Sequence, residues 1–150
     1  ACTVRALGVM GVRWSGLTDN MKRVLLRGVG EVARVGGGKE LAVCVYGLGL
    51  LELSWNQLSK RTRINLCNGI SRVSHTHTLT AVEVANMMYG CALLLFDATG
   101  GDREGVSHLY SSLLSSVNQV GLGKFEERER EQVLIFQHTL QLLSSSLSSS

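Results

Sequence analysis

The fold is decided by the stretch Glu40-Leu-Ala-Val-Cys-Val-Tyr-Gly-Leu-Gly-Leu-Leu-Glu-Leu-Ser-Trp55, because much of it recurs on either side. A constant shift of 43 positions relates Glu40, Ala42, Tyr46, Gly47, Leu50 and Leu51 to Glu83, Ala85, Tyr89, Gly90, Leu93 and Leu94. A second constant shift, of 41 positions, relates Leu7, Gly8, Trp14, Leu17, Leu25 and Gly28 to Leu48, Gly49, Trp55, Leu58, Leu66 and Gly69. A fixed period of this size is typical of stacked repeats.

The spacing of apolar residues within each unit predicts helices. After Asp19, apolar or small residues fall at i, i+3, i+4, i+7, i+8 and i+11, namely Met21, Val24, Leu25, Gly28, Val29 and Val32. This spacing places all six on one helix face, which we expect to be buried. The same six-position pattern recurs from Val106 to Val117, and the chain contains no proline to break a helix.

The predicted fold class is all-α, an α-solenoid of stacked antiparallel helix pairs with a repeat of 41–43 residues. One domain is expected over 1–143, with a partial unit at 1–35, units at 39–74 and 80–120, and a final helix at 125–143. Ala1 aligns with Ala42, so the first unit is expected to lack its beginning. The Ser-rich tail, 144–150, is expected to fray.

Several short motifs predict local structure. Trp14 and Trp55 are expected to anchor the turns between paired helices, and Thr80-Ala-Val-Glu83 has the form of a capping box that opens a helix. The four cysteines show no Cys-x-x-Cys pairing and lie on or beside apolar stripes, so we expect reduced, buried thiols. That expectation suits an intracellular or organellar compartment.

Composition and motifs favour neither a membrane span nor an enzyme. The chain is 45% apolar and 18% charged, and no apolar run approaches the ~18 to 20 residues that cross a bilayer. The stretch Gly28-Val-Gly30-Glu-Val-Ala33 lies inside a helical stripe, without the preceding strand that a dinucleotide site requires. His75 and His77 are expected in a loop without partners for zinc. We therefore expect no catalytic site, no metal and no cofactor.

Charge is divided unevenly along the chain. Residues 1–75 hold 11 Lys and Arg against 4 acids, whereas residues 76–150 hold 4 against 8. An arginine-rich half is the pattern expected for phosphate contact, because guanidinium groups pair bidentately with phosphate oxygens. An ordinary solvated surface would carry such charges as well, and that alternative stays open.

The repeated unit carries a family resemblance. It reads Glu-x-Ala-x-x-x-Tyr-Gly-x-(Gly/Ala)-Leu-Leu, then a turn with Trp, then Arg-x-x-Leu-x-x-Gly-Ile. This pattern resembles the repeats of organellar helical-repeat RNA-binding proteins, namely the octotricopeptide and heptatricopeptide classes and the FAST-kinase-like repeats. Their aromatic segment corresponds here to Tyr46-Gly47-Leu48-Gly49 and Tyr89-Gly90-Cys91-Ala92. The resemblance implies single-stranded RNA bound along the inner surface, in mitochondria or plastids, within an organellar ribosome or an RNA-processing assembly.

Ten residues are the candidates for RNA contact under this hypothesis. The residues expected to reach phosphates are Arg5, Arg13, Lys22, Arg23, Arg27, Lys60, Arg61, Arg63 and Arg72. Asn86 is polar where its counterparts are Val43 and Cys2, so it is the candidate to read a base edge. Tyr46 and Tyr89 could stack on bases or pack between helices.

A second function class stays open. A protein-binding scaffold of the HEAT or armadillo kind would have the same helical organisation. In that case binding is expected to centre on an exposed apolar or acidic patch, at the final helix from Phe125, and RNA would not be the partner.

Overall fold

Seven α-helices account for most of the computed structural model, which describes residues 2–76, 79–96 and 103–148. They are α1 (Cys2–Val9), α2 (Asp19–Val35), α3 (Gly38–Leu50), α4 (Lys60–Thr76), α5 (Ala81–Leu95), α6 (Arg103–Val120) and α7 (Glu127–Ser148). Single 3-10 turns lie at Trp14–Gly16, Trp55–Gln57 and Leu122–Lys124. These ranges contain no β-strand, so the predicted all-α class is confirmed.

The helices pack in two layers. In the first layer α1 contacts α3, α3 contacts α5 and α5 contacts α7, while in the second α2 contacts α4 and α4 contacts α6. Contacts of α3 with α2 and α4, and of α5 with α6, join the layers. Helices α1 and α3 run parallel, because Gly47 of α3 lies against Arg5 of α1 and Leu50 lies against Gly8. Helices α2 and α4 also run parallel, because Gly69 and Arg72 of α4 contact Ala33 and Gly36 of α2.

Glycine allows the helices of each layer to approach closely. A Cβ on Gly90 of α5 would lie 2.5 Å from the carbonyl oxygen of Val45 in α3. A Cβ on Gly69 of α4 would lie 2.5 Å from the carbonyl oxygen of Ala33 in α2. Any side chain at either position would push the two backbones apart, because carbon and oxygen cannot approach so closely.

Buried tryptophans and side-chain caps organise the turns. Trp14 and Trp55 are buried in the first two 3-10 turns, as predicted, and the Trp14 N–H donates to the Leu51 carbonyl at 2.7 Å. The Thr80 hydroxyl accepts the Glu83 N–H at 3.2 Å at the start of α5. These bonds satisfy backbone groups that a helix end or a turn leaves free.

The core lies between the two layers and includes three buried thiols. Cys44 and Cys91 are free and buried and Cys67 is buried, as predicted for these positions. Burial raises the pKa of Cys44 from its ordinary value of 9.0 to about 11. Burial, with a smaller contribution from neighbouring Cys67, also raises the pKa of Cys91. Across the described ranges, no helix combines the length and apolar character that crossing a bilayer requires.

Two helices end later in the structure than the sequence analysis placed them. Helix α4 continues to Thr76, so His75 lies in its last turn and not in a loop, with its Nδ1 2.6 Å from the Ser71 carbonyl. Helix α7 continues to Ser148, into the segment expected to fray. Leu140, Leu143 and Leu147 keep helical spacing through the serines of this segment. His77 lies outside the described residues.

The predicted apolar stripe of α2 is only partly buried. Leu25 and Val29 lie in the core, whereas Met21, Val24 and Gly28 are exposed. Among the described residues, α2 packs chiefly against α3 and α4, which leaves Met21, Val24 and Gly28 exposed.

Candidate nucleic-acid interface

The candidate RNA-contact residues do not share one face of the structure. Arg5 and Asn86 lie in the first layer, on α1 and α5, and Arg13 lies in the turn before α2. The other seven lie in the second layer: Lys22, Arg23 and Arg27 on α2, and Lys60, Arg61, Arg63 and Arg72 on α4. The structure therefore gathers most of the candidate cations on two neighbouring parallel helices and separates Asn86 from them.

Four of the second-layer cations are exposed: Arg23, Arg27, Lys60 and Arg61. Within the described part of the chain, the ion pairs join Arg13 to Glu52 at 3.5 Å and Arg34 to Glu31 at 3.0 Å, and involve none of these four. In the described residues none of these four is held in an ion pair, and a polyanion could approach all four from solvent. We call these four residues the basic face.

The first turn of α4 has an unusual charge. It carries Lys60, Arg61 and Arg63 and no acidic residue. The first turns of α2, α3, α5 and α7 each carry an acid, respectively Asp19, Glu40, Glu83, and Glu127 with Glu129. Cationic side chains at a helix N-terminus are repelled by the positive end of the helix dipole. A bound anion at the same place would be attracted by the dipole and by the cationic side chains.

Arg72 has a structural partner. Its Nη2 donates to the carbonyl oxygens of Ala33 at 3.1 Å and Gly36 at 2.8 Å, which lie at the C-terminal end of α2. The side chain is half-buried in the contact between α2 and α4. Arg72 thus satisfies carbonyls that a helix end leaves free, and fewer of its donors remain for a phosphate.

Two other candidate cations lie near the buried tryptophans. The Lys22 ammonium lies 5.9 Å from the centroid of the Trp14 ring, within range of a cation–π contact. Arg63 and Trp55 occupy the positions 41 residues later, and the Arg63 side chain is half-buried. Within the described part of the chain, neither the Arg63 Nε nor the Trp55 Nε1 has a hydrogen-bond partner, and both atoms are buried.

The two candidate stacking residues contact each other. The ring centroids of Tyr46 and Tyr89 lie 5.9 Å apart with a tilt of 38°, and both side chains are half-buried. This geometry is that of an aromatic pair that joins α3 to α5. Asn86, one turn before Tyr89, is also half-buried.

Exposed apolar side chains also lie on or beside α5 and on α7, where periodicity alone did not reveal them. They are Val82 and Phe96 beside or on α5, and Leu134, Ile135 and Leu142 on α7. Phe96 also lines a shallow depression with Leu53 and Leu93. Phe125, by contrast, is buried, so the patch expected at the final helix does not begin there. Exposure depends on which helices are neighbours, and no local pattern contains that information.

Among the side chains that the structure describes, no three His, Cys, Asp or Glu residues come together in a way that could hold a metal ion. Comparison with protein-family models, with curated proteins and with solved structures found no match to this chain.

Proposed function

We propose that this chain is a non-catalytic RNA-binding helical-repeat protein whose basic face contacts phosphates. The main support for this proposal is that two adjoining helices of one layer carry four exposed cations, none of which forms an ion pair in the described residues. Such a set lowers the free energy of a bound polyanion, because each neutralised phosphate releases condensed counterions. Bringing several cations together raises the electrostatic free energy of the folded chain, and a bound polyanion would lower it.

The proposal includes an α-solenoid with a repeat of 41–43 residues. Helices α2 and α4 are both 17 residues long and start at Asp19 and Lys60, which are 41 positions apart. Helices α3 and α5 start at Gly38 and Ala81, which are 43 positions apart. The two-layer packing, in which α1 runs parallel to α3 and α2 runs parallel to α4, supports this arrangement because successive helix pairs stack in that way in solenoids.

Fewer residues are proposed here to contact RNA than the ten candidates that the sequence suggested. Arg23, Arg27, Lys60 and Arg61 bind phosphates, while Arg72 stabilises the junction of α2 with α4. Contacts to phosphates carry little sequence information, so the second layer binds RNA without reading bases. Asn86 and Arg5 lie in the other layer, and any base contact by Asn86 would require a separate segment of RNA.

The cellular setting follows from the family resemblance and from size. Two helices can cover only a few phosphates, which suits a component of a larger assembly better than an independent regulator. We therefore propose a role within a mitochondrial or plastid ribosome or RNA-processing complex, with rRNA or another organellar RNA and neighbouring proteins as partners.

The test is RNA affinity measured against salt, by fluorescence anisotropy with a labelled single-stranded RNA. The test variant is Arg27→Glu with Lys60→Glu and Arg61→Glu, and Arg72 is kept because its loss would disturb the fold. The matched control is Lys124→Glu with Arg128→Glu and Arg130→Glu, which makes the same charge change at exposed positions elsewhere. We expect the test variant to bind more weakly and its log–log salt slope to fall in magnitude by about 2, at roughly 0.7 per phosphate.

Equal loss in both triple variants would indicate a general charge effect and would overturn the proposed site. Undiminished binding by the test variant would overturn it as well. A scaffold function is the second candidate, favoured by the exposed Leu134, Ile135 and Leu142 of α7. It predicts a protein partner whose binding is lost in Leu134→Glu and kept in the Arg27/Lys60/Arg61 variant.

A further inference from the structure

Helices α2 and α4, which carry the basic face, contain no large aromatic side chain. Each helix is 17 residues long, and neither sequence includes Phe, Tyr or Trp. On α4, the exposed residues that follow Arg61 at helical spacing are Ile64 and Asn68. The imidazole of His75 lies at the opposite end of α4 from Lys60 and Arg61. The exposed neighbours of the cations along α4 are therefore an aliphatic and an amide group.

The aromatic rings of the chain lie elsewhere in the structure. Trp14 and Trp55, in the turns that precede α2 and α4, are only 5% and 2% exposed. Tyr110 of α6 packs against Phe136 of α7, with 6.3 Å between the ring centroids. The remaining exposed or half-buried rings lie on or directly after helices of the first layer and are Tyr46, Tyr89 and Phe96. A strand of RNA that crosses the basic face therefore meets no accessible ring there.

Single-stranded and double-stranded RNA need different surfaces. Proteins that hold a single strand without sequence preference combine a basic groove with aromatic rings on which successive bases stack. A duplex keeps its bases stacked in its interior, and proteins recognise it mostly by shape and by contacts to phosphates and 2′-hydroxyl groups. The basic face offers charge without a ring, so it meets the needs of a duplex better than those of a single strand.

The junction between α2 and α4 fixes the cations relative to one another. Gly69 of α4 packs directly on Ala33 of α2, because a Cβ on Gly69 would lie 2.5 Å from the Ala33 carbonyl oxygen. Close to that contact, Arg72 donates two hydrogen bonds to carbonyls at the end of α2. The two helices can therefore neither slide nor separate without loss of these contacts.

The same contact shows how closely the cations are grouped. Counting back from it along the two parallel helices sets the first two residues of α4 level with the second turn of α2. Lys60 and Arg61 thus lie between the levels of Arg23 and Arg27, whose backbones are about 6 Å apart along α2. A fixed array of cations favours a ligand with phosphates at fixed spacing, since a flexible strand must lose conformational freedom to match it.

We propose that the basic face binds double-stranded RNA, through the phosphates of a helical stem. This inference rests on the proposed RNA-binding function and names the form of RNA that the same four residues contact. It differs from the single-stranded RNA that the family resemblance implies. A duplex carries about twice the negative charge of one strand per unit length, which strengthens its attraction to a fixed set of cations.

The first test compares a short RNA duplex with each of its two strands, by fluorescence anisotropy with the full chain. The strands are chosen so that neither pairs with itself. We expect the duplex to bind roughly fivefold tighter than either strand at about 0.1 M salt, because the salt slope is roughly 0.9 per phosphate for a B-form duplex and 0.7 for a single strand. The Arg27/Lys60/Arg61 triple variant should lose this preference, and the Lys124/Arg128/Arg130 triple variant should keep it.

The second test places an aromatic ring on the face. Ile64 lies on α4, one turn after Lys60, and is 48% exposed, so Ile64→Tyr would offer an accessible ring. Affinity for the single strands should rise roughly fivefold or more through stacking, while affinity for the duplex should change by less than about twofold. The matched control is Leu134→Tyr, which places the same ring on a residue of α7 that is 62% exposed and in the other layer.

Each outcome decides the inference. A duplex preference that the Arg27/Lys60/Arg61 variant abolishes, with single strands gaining affinity from Ile64→Tyr and not from Leu134→Tyr, supports it. Single strands that bind as tightly as the duplex, and that the triple variant weakens, overturn it and leave the proposed function standing. A preference that the triple variant keeps, or an Ile64→Tyr variant that gains no affinity for single strands, also overturns it. RNA binding that the triple variant leaves intact in both forms overturns the proposed function itself.

Discussion

Arg72 and Gly36 are joined by a hydrogen bond of 2.8 Å from the guanidinium Nη2 to the carbonyl oxygen. The same Nη2 also donates to Ala33 at 3.1 Å, so one side chain of α4 satisfies two carbonyls at the end of α2. Local pattern suggested a cation for RNA at this position. The hydrogen bonds show that the Arg72 side chain holds α2 and α4 together.

Replacement of Arg72 should therefore cost stability. Arg72→Met keeps most of the aliphatic chain and removes both hydrogen bonds, and we expect a loss of about 1–3 kcal/mol in the free energy of unfolding by urea. Arg61→Met is the control, because Arg61 is exposed and its change should stay within about 0.5 kcal/mol. Equal losses in the two variants would contradict the capping role.

Gly90 should be intolerant of a methyl group. Its Cβ would lie 2.5 Å from the Val45 carbonyl oxygen and 2.8 Å from the Tyr46 nitrogen, which are backbone atoms that cannot rotate away. Gly90→Ala should lose about 1–3 kcal/mol by overpacking, partly offset by a gain of up to about 1 kcal/mol in helix propensity.

Gly30→Ala supplies the comparison for Gly90→Ala in thermal or urea unfolding. Its Cβ would meet no atom within 4 Å, so only the propensity gain should remain and the variant should be more stable than the parent. If both alanine variants stabilise the chain, α3 and α5 do not approach as closely as described.

The ring pair of Tyr46 and Tyr89 should show energetic coupling in the absence of RNA. A double-mutant cycle with Tyr46→Leu and Tyr89→Leu should give a coupling of about 0.5–1.5 kcal/mol in unfolding free energy. The centroid separation of 5.9 Å is the reason, since it lies in the range of favourable aromatic pairs. Additive losses would indicate that the rings are independent and free to take another role.

Stability should fall in alkaline solution because of the buried thiols. Burial raises the pKa of Cys44 from 9.0 to about 11, so between these values the unfolded chain loses a proton that the folded chain keeps. The free energy of unfolding therefore decreases as pH rises through this window, and the contribution is fully present below pH 9. Cys44→Ala should flatten the decline in urea unfolding measured from pH 8 to 11, and an unchanged slope would exclude Cys44 as a cause.

Much of the fold could be predicted because helix formation depends on neighbours in sequence. The buried Leu25 and Val29, the turns at Trp14 and Trp55, and the cap at Thr80 all follow from local spacing and local hydrogen bonds. The end of α4 was not predicted correctly, because no local stop signal marks the chain at His75.

The chain by itself determined that it is helical, where most helices lie, and which side chains carry charge, since these depend on residue type and on intervals of three and four. Only the tertiary structure decided that Arg72 is held by helix carbonyls while Lys60 and Arg61 are exposed, and that Val24 faces solvent although it belongs to the same stripe as Leu25. The physical reason is that burial and hydrogen-bond partners depend on which helix lies alongside, and that neighbour is distant in sequence.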